Sequence, residues 1–128
     1  MQSLVHVGWV FLGGGIGSAL RYGVGRAALA LAGPGFPVGT LVVNLLGCTL
    51  MGVLVEWLTW RGTGIDASMR LFLVTGLLGG FTTFSAFALD AVALWQRGET
   101  LSAVGYGVGS VVLSIAGFMA GMALMRAS

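Results

Sequence analysis

The sequence predicts an all-α membrane protein with four transmembrane helices per subunit. Of its 128 residues, 57% are hydrophobic and only 8% are charged, and the mean hydropathy is +1.00. A soluble domain carries roughly 25% charged residues. Four stretches without Asp, Glu, Lys or Arg are long enough to cross a bilayer, which takes about 20 apolar residues in a helix. Together these observations predict a single four-helix transmembrane domain over residues 1–128.

The connections between these stretches are short, so no soluble domain is expected. We place the helices at about 4–31, 38–59, 69–95 and 100–125. The first has no Lys or Arg before its apolar run, which is unlike a secretory signal and favours a retained helix. Pro37 fits the first turn of the second helix, where its missing N–H costs nothing. Trp57, Trp60 and Trp95 lie near helix ends, as aromatic side chains at membrane interfaces do.

The third helix carries the run Gly79-Gly80-Phe81-Thr82-Thr83-Phe84-Ser85-Ala86-Phe87. Two glycines followed by two threonines predict a break at mid-membrane depth. Backbone that leaves a helix in hydrocarbon must be buried in protein or line a polar path. Freed carbonyls from Gly79 to Thr82 could hold a small cation, as in unwound transporter helices. Alternatively, the threonine hydroxyls satisfy these carbonyls and the run is only a kink.

Polar and aromatic side chains recur within the apolar helices. Asn44 lies midway along the second helix, where its amide is either interhelical glue or a donor facing an ion. Thr40 lies one turn earlier on the same face and Cys48 one turn later. On the fourth helix Tyr106, Ser110 and Ser114 are spaced by four and form one hydroxyl stripe. Three aligned hydroxyls favour a polar track.

Phe84 and Phe87 follow the predicted break at helical spacing. Such a pair is commonly part of a core. An aromatic ring also has a positive edge, which could contact a dehydrated anion without supplying a full charge. A full charge would bind the anion too tightly, whereas conduction needs weak, multiple sites.

Charged side chains within or beside the helices invite a functional interpretation, since they are costly there. Arg21 could attract anions into a vestibule, or it could extend to the headgroups. Asp90 could lie at the opposite end of the same pathway or pair with an arginine. The remaining charges are expected at solvated helix ends: Glu56, Arg61, Asp66, Arg70, Arg97, Glu99 and Arg126.

The arginines are balanced across the predicted topology. An even number of helices puts both termini on one side, together with Arg61, Arg70 and Arg126. Arg26 and Arg97 lie on the other side. This is almost no positive-inside bias, so the chain could insert both ways and pair as an antiparallel homodimer. Glycines spaced by four favour close helix packing; the pairs are Gly13/Gly17, Gly76/Gly80, Gly105/Gly109 and Gly117/Gly121.

Several classes of protein are disfavoured. The net charge of +2 is too small to indicate nucleic-acid binding, and the single cysteine excludes an intrachain disulfide. No metalloprotease, nucleotide-binding or triad motif is present, so we expect no enzyme. A proton-coupled exporter would need a carboxylate in the first helix, and that helix has Arg21 and no acid.

Taken together, these residues resemble the Fluc (CrcB) fluoride channels. The likeness is carried by Gly17-Ser18-Ala19-Leu20-Arg21-Tyr22, by Gly39-Thr40-Leu41-Val42-Val43-Asn44, by the run from Thr75 to Phe87 and by the Tyr106-x3-Ser110-x3-Ser114 stripe. It covers essentially the whole chain. Two departures stand out: Asp90 replaces a common Glu and reaches less far, and Phe81 replaces a common Leu.

The resemblance implies a dual-topology homodimer in the bacterial inner membrane, with two antiparallel fluoride pores along the subunit interface. It assigns Asn44, Phe84 and Phe87 to the pore lining and Arg21 to the vestibule. It adds a hydroxyl track of Thr40, Ser85, Tyr106, Ser110 and Ser114. The carbonyls of Gly79 and Thr82 from both subunits would hold a structural sodium ion.

The function predicted from the sequence is passive, fluoride-selective export across the lipid bilayer. Fluoride is small and strongly hydrated, so amide, hydroxyl and ring-edge donors must replace its water. The alternative is a small four-helix proton-coupled multidrug exporter, which fits the size, glycine content and charge balance equally well. A non-transporting assembly subunit would leave the aligned hydroxyls and the phenylalanine pair unexplained.

Overall fold

The computed structural model describes residues 1–61 and 64–128, and these residues form helices joined by short connections. Gly62 and Thr63, in the predicted connection between the second and third helices, lie outside the described residues, as does the side chain of Arg61. The elements in chain order are α1 (Gln2–Ala32), α2 (Val38–Arg61), α3 (Ala67–Arg70), the π-helical segment π1 (Leu71–Leu78), α4 (Gly79–Phe81), α5 (Phe84–Gln96) and α6 (Thr100–Ala127).

Four stretches within the described residues are long and apolar enough to cross a membrane. They cover residues 2–32, 38–60, 67–96 and 100–127. The prediction of an all-α chain with four membrane spans is therefore confirmed. The ends of the helices differ from the sequence-based bounds by no more than two residues. The third span is assembled from α3, π1, α4 and α5 in succession.

The first half of the third span packs backbone to backbone against α1. A Cβ atom built on Gly17 would lie 2.1 Å from the carbonyl oxygen of Leu77, and one on Gly13 would lie 2.4 Å from that of Phe72. A Cβ on Gly80 would lie 2.6 Å from the carbonyl oxygen of Gly14. Only glycine permits this approach, so the two four-residue glycine spacings on α1 and on the third span face each other.

A second glycine contact joins α2 to α6. A Cβ on Gly52 would lie 2.0 Å from the carbonyl oxygen of Phe118, and one on Gly121 would lie 2.2 Å from that of Thr49. At Gly105 and Gly109 an added Cβ would meet nothing within 4 Å. The surface of α6 around these two glycines is therefore open in a single copy of the chain.

The backbone between α4 and α5 is extended at two consecutive residues. Thr82 has φ −79° and ψ 158°, and Thr83 has φ −153° and ψ 120°. The Thr83 hydroxyl accepts a hydrogen bond from the backbone N–H of Ala86 at 3.1 Å. This is an N-cap, which favours the start of α5 at Phe84.

One sequence-based expectation is wrong. Glu56 was expected at a solvated helix end, but it is 3% exposed and pairs through Oε1 with Nε of Arg126 at 2.7 Å. The indole N–H of Trp60 donates to the same carboxylate oxygen. The glycine contact between α2 and α6 brings the ends of the two helices together, so the carboxylate is covered by partners from both.

Candidate functional site

The side chain of Asn44 reaches from α2 to the extended backbone of the third span. Its Oδ1 accepts from the N–H of Thr83 at 2.8 Å, and its Nδ2 donates to the carbonyl of Thr83 at 2.9 Å. An asparagine amide has two N–H donors, so this contact uses one of them. Asn44 therefore pairs the backbone N–H and carbonyl of Thr83, which cannot make helix hydrogen bonds because the backbone is extended there.

Two backbone N–H groups near the interruption donate to side chains, and two carbonyls therefore lack their ordinary α-helical donors. In an α-helix the carbonyl of residue i accepts from the N–H of residue i+4. The N–H of Thr83, which would serve Gly79, donates to Asn44. The N–H of Ala86, which would serve Thr82, donates to the Thr83 hydroxyl. The two freed carbonyls belong to the residues to which the resemblance assigns a cation.

Other groups around the interruption are satisfied locally. The Thr82 hydroxyl donates to the carbonyl of Leu78 at 3.0 Å. The methyl group of Thr82 faces α2 closely, because a Cβ on Gly47 would lie 2.3 Å from it. The hydroxyls of Thr83 and Ser85 are 3.4 Å apart.

A cavity of about 240 Å³ opens beside the interruption. It collects Asn44, Phe84, Phe87, Ser110 and Ser114 of the sequence-predicted site. The rest of its lining is Cys48, Thr82, Thr83, Val111 and Ile115. Thr40, Ser85 and Tyr106 do not line this cavity.

Two further cavities hold other residues of the predicted site. One of about 280 Å³ is lined by Thr40, Asp90 and Arg97, with the α1–α2 connection. Another of about 270 Å³ is lined by Arg21, Thr40 and Thr83, with neighbouring residues of α1 and α2. In one copy of the chain, the polar groups are therefore distributed over three neighbouring cavities around the third span, with Thr40 lining two of them and Thr83 lining two.

The hydroxyl stripe of α6 is chemically uneven. Tyr106 is 1% exposed and donates to Oδ2 of Asp90 at 3.2 Å. Ser110 is 5% exposed, and among the described residues its hydroxyl has no hydrogen-bond partner. A buried hydroxyl without a partner is costly, and Ser110 lines the cavity beside the interruption.

The acidic side chain of the third span is held by a tyrosine. Within the described parts of the chain, Asp90 makes no ion pair, and the hydroxyl of Tyr106 is its hydrogen-bond donor. The alternative that paired Asp90 with an arginine is therefore not what the fold adopts. Arg97 instead binds the carbonyl of Gly35 at 2.9 Å and the carboxylate of Glu99 at 3.1 Å.

The aromatic residues form a chain of ring contacts from the cavity toward the buried tyrosine. The centroids of Phe84 and Phe87 are 5.5 Å apart, and those of Phe87 and Tyr106 are 5.2 Å apart. Phe84 is 78% exposed. The ring of Phe84 therefore projects away from its own chain at the edge of the cavity.

These features define a small integral membrane protein with a largely apolar cavity, containing a few uncharged polar groups, beside an interrupted helix. Its relatives place it in a family. Residues 8–122 match the family described as CrcB-like protein, Camphor Resistance (CrcB), and the chain belongs to that family. The family resemblance seen in the sequence is thus confirmed.

Three similar proteins each carry the name fluoride-specific ion channel FluC. The one from Rhizobium leguminosarum bv. trifolii is 54% identical over 118 residues, covering 92% of this chain and 94% of its own. The one from Paracoccus denitrificans is 56% identical over 117 residues, covering 91% of both chains. The one from Agrobacterium fabrum is 52% identical over 123 residues, covering 96% of this chain and 98% of its own.

Proposed function

We propose that this protein is a fluoride-selective ion channel that lets fluoride leave the cell passively down its electrochemical gradient. The observation that carries this proposal is the identity above 50%, along nearly the whole chain, to proteins named fluoride-specific ion channel. We infer a channel and not an enzyme, in a bacterial inner membrane.

The chemistry of the cavity supports this assignment. Its polar groups are uncharged: an amide, threonine and serine hydroxyls, and the ring edges of Phe84 and Phe87. Neutral donors can replace the water of a small anion without trapping it, as conduction requires. The donors that we assign to fluoride are the Ser110 hydroxyl, which has no hydrogen-bond partner among the described residues, and the second amide hydrogen of Asn44. The hydroxyl track would be extended by Thr40, Ser85, Tyr106 and Ser114. Arg21 would lie in the vestibule.

We propose that two copies in opposite orientation complete the site. The ring of Phe84 projects from its own chain, the cavity is open on one side, and the glycine face of α6 at Gly105 and Gly109 is uncovered. A second copy related by a two-fold axis in the membrane plane would cover these surfaces and create two antiparallel pores. The interruption of the third span would then lie at mid-depth.

A sodium ion fits the freed carbonyls of Gly79 and Thr82. Carbonyl oxygens are hard ligands suited to such a cation, and unwound helix backbone holds Na⁺ in other membrane proteins. Two carbonyls per copy would give four ligands at the two-fold axis. The ion would stabilise the interrupted helices and would take no part in carrying fluoride.

Fluoride efflux from liposomes tests the function. Purified protein is reconstituted, a potassium gradient with valinomycin drives the anion, and a fluoride electrode follows its release. We expect fast fluoride efflux with chloride excluded. Proton-driven uptake of organic cations without fluoride efflux would overturn the channel and favour the exporter.

Asn44→Asp tests whether the cavity is the pathway. The carboxylate cannot donate to the Thr83 carbonyl and repels an anion, so we expect efflux to fall at least roughly tenfold, the equivalent of about 1.4 kcal/mol. Thr59→Ala is the matched control, because the Thr59 hydroxyl donates only within α2, to the carbonyl of Val55. Equal efflux in both variants would place the pathway elsewhere.

Two measurements test the assembly. An impermeant thiol reagent applied to Gln2→Cys in a Cys48→Ser background should label about half of the molecules in sealed vesicles if insertion is dual, as the balanced arginines suggest. Uniform labelling or uniform protection would exclude the antiparallel dimer.

Thorough replacement of sodium by a large organic cation should weaken the dimer or its conduction. If both stay unchanged, the result would count against the sodium ion.

A further inference from the structure

The carbonyl of Gly80 lies at the end of the first half of the third span and has lost its ordinary donor. In a continuous helix it would accept from the N–H of Phe84. Because Thr82 and Thr83 are extended, Phe84 instead begins α5. An unpaired carbonyl in an apolar setting is unfavourable, so another donor is needed here.

Residue Arg21 supplies that donor from α1. Its Nε lies 3.2 Å from the Gly80 carbonyl oxygen, and the Ser18 hydroxyl lies 3.5 Å from the same atom. The glycine contact makes this reach possible, since Gly17 lies one helical turn before Arg21 and its backbone touches that of Leu77. The guanidinium is thus fixed to the interruption and is not free in solvent.

We propose that Arg21 is a positioning residue that clamps the interrupted helix from the α1 side, as Asn44 clamps it from the α2 side. One side chain fixes the carbonyl of Gly80 and the other fixes both backbone groups of Thr83. Together they set where the freed carbonyls and the start of α5 lie. The role of Arg21 in conduction is therefore to donate a hydrogen bond, and its charge is secondary; this rests on the proposed channel function.

Two substitutions separate the hydrogen bond from the charge. Arg21→Gln keeps an N–H donor and removes the charge, whereas Arg21→Met keeps the length and removes both. We expect Arg21→Gln to retain efflux within roughly threefold of the unsubstituted protein. We expect Arg21→Met to lose at least roughly tenfold, because the part-buried carbonyl of Gly80 then keeps only the long 3.5 Å hydrogen bond from the Ser18 hydroxyl.

Residue Arg26 gives the matched control for charge. It carries the same charge and lines the same cavity of about 270 Å³, and no hydrogen bond joins it to another described residue. Arg26→Gln and Arg26→Met should behave alike. Efflux is compared at ~0.01 M and ~1 M ionic strength, where the Debye length falls from about 30 Å to about 3 Å. The loss in Arg21→Met should persist in high salt.

A vestibule that works by attraction predicts the opposite pattern. Arg21→Gln would then be as impaired as Arg21→Met at low salt, and the difference from the unsubstituted protein would shrink at high salt. That result would overturn the clamp. If Arg21→Met does not elute as a folded species from size exclusion, Arg21→Gln and Arg26→Gln are compared at the two salt concentrations. Retained efflux in Arg21→Gln then supports the hydrogen-bonding role of Arg21, and a loss confined to low salt overturns it.

Hydrogen exchange supplies a readout that does not depend on conduction. The amides of residues 82–86 should exchange faster in Arg21→Met than in Arg21→Gln or the unsubstituted protein. Unchanged exchange in a folded Arg21→Met would also overturn the clamp. If the unsubstituted protein fails to pass fluoride, the proposed function fails, and the exchange data still judge whether Arg21 holds the interruption.

Discussion

The two halves of the third span are built in different ways. The first half, π1 with α4, lies with its backbone against the backbone of α1, where Gly13, Gly17 and Gly80 leave no space for a Cβ. The second half, α5, meets α6 through side chains, with the ring of Phe87 5.2 Å from that of Tyr106 and the Tyr106 hydroxyl on Asp90. It leaves Phe84 largely uncovered.

The first half of the third span therefore supports the fold, whereas the second half carries the side chains that could contact an ion. Backbone contact fixes the first half, because main-chain atoms cannot move aside as a flexible side chain does. The second half presents rings and hydroxyls, which change character with a single substitution. Changes in the first half should therefore reduce stability, and changes in the second half should alter conduction at smaller cost to stability.

The largest effect is expected from Gly17→Ala. Its Cβ would lie 2.1 Å from the Leu77 carbonyl oxygen, so α1 and π1 must separate, and overpacking of this kind costs about 1–3 kcal/mol or more. Thermal unfolding in detergent measures the loss. Gly15→Ala is the control, because nothing lies within 4 Å of that position. Equal stability of the two variants would show that the backbone contact between α1 and the first half of the third span does not fix that half.

A large functional effect with little destabilisation is expected from Phe84→Ile. The ring is 78% exposed, so few contacts within its own chain are lost. We expect fluoride efflux to fall at least roughly tenfold, about 1.4 kcal/mol in barrier height. Phe11→Ile on α1 is the control, with a ring that is 77% exposed. A loss shared by both variants would point to the membrane contact and away from the cavity.

A moderate effect is expected from Thr83→Ala at the junction of the halves. The variant lacks the hydroxyl that accepts from the Ala86 N–H, and loss of an N-cap costs about 1 kcal/mol. Chemical or thermal unfolding in detergent checks the change. Thr59→Ala serves as the comparison, since that hydroxyl caps no helix start and donates to its own helix.

The smallest effect is expected from Tyr106→Phe. The ring contact with Phe87 remains, and the interactions of the hydroxyl with Asp90 and Thr40 are lost. We expect about 1 kcal/mol of destabilisation, because the Asp90 carboxylate is only half-buried. We expect only a small change in efflux, because the hydroxyl donates to Asp90 and does not line the cavity beside the interruption. Tyr22→Phe is the matched control. A severe loss of efflux would show that the Tyr106 hydroxyl is an essential donor of the fluoride track and not a minor one.

The sequence predicted the four membrane spans because the hydropathy and the length of an apolar run are local properties of the sequence. It also marked Asn44, Phe84, Phe87, Ser110 and Ser114, which the fold brings to one cavity. It did not predict π1, since the register of backbone hydrogen bonds depends on the packing of neighbouring helices. Glu56 was misplaced for a similar reason: its partner Arg126 is far away in the chain.

Composition and local pattern by themselves determined that this chain is an integral membrane protein. They also determined that it has four stretches long and apolar enough to span the bilayer, with uncharged polar groups within them. Only the tertiary structure decided what those groups do. Asn44 could equally have been glue or a donor to an ion, and the fold commits one of its amide hydrogens to Thr83 while freeing the carbonyls of Gly79 and Thr82. The physical reason is that a polar group within hydrocarbon must pair with a partner inside the protein. Which partner is within reach depends on how the helices pack.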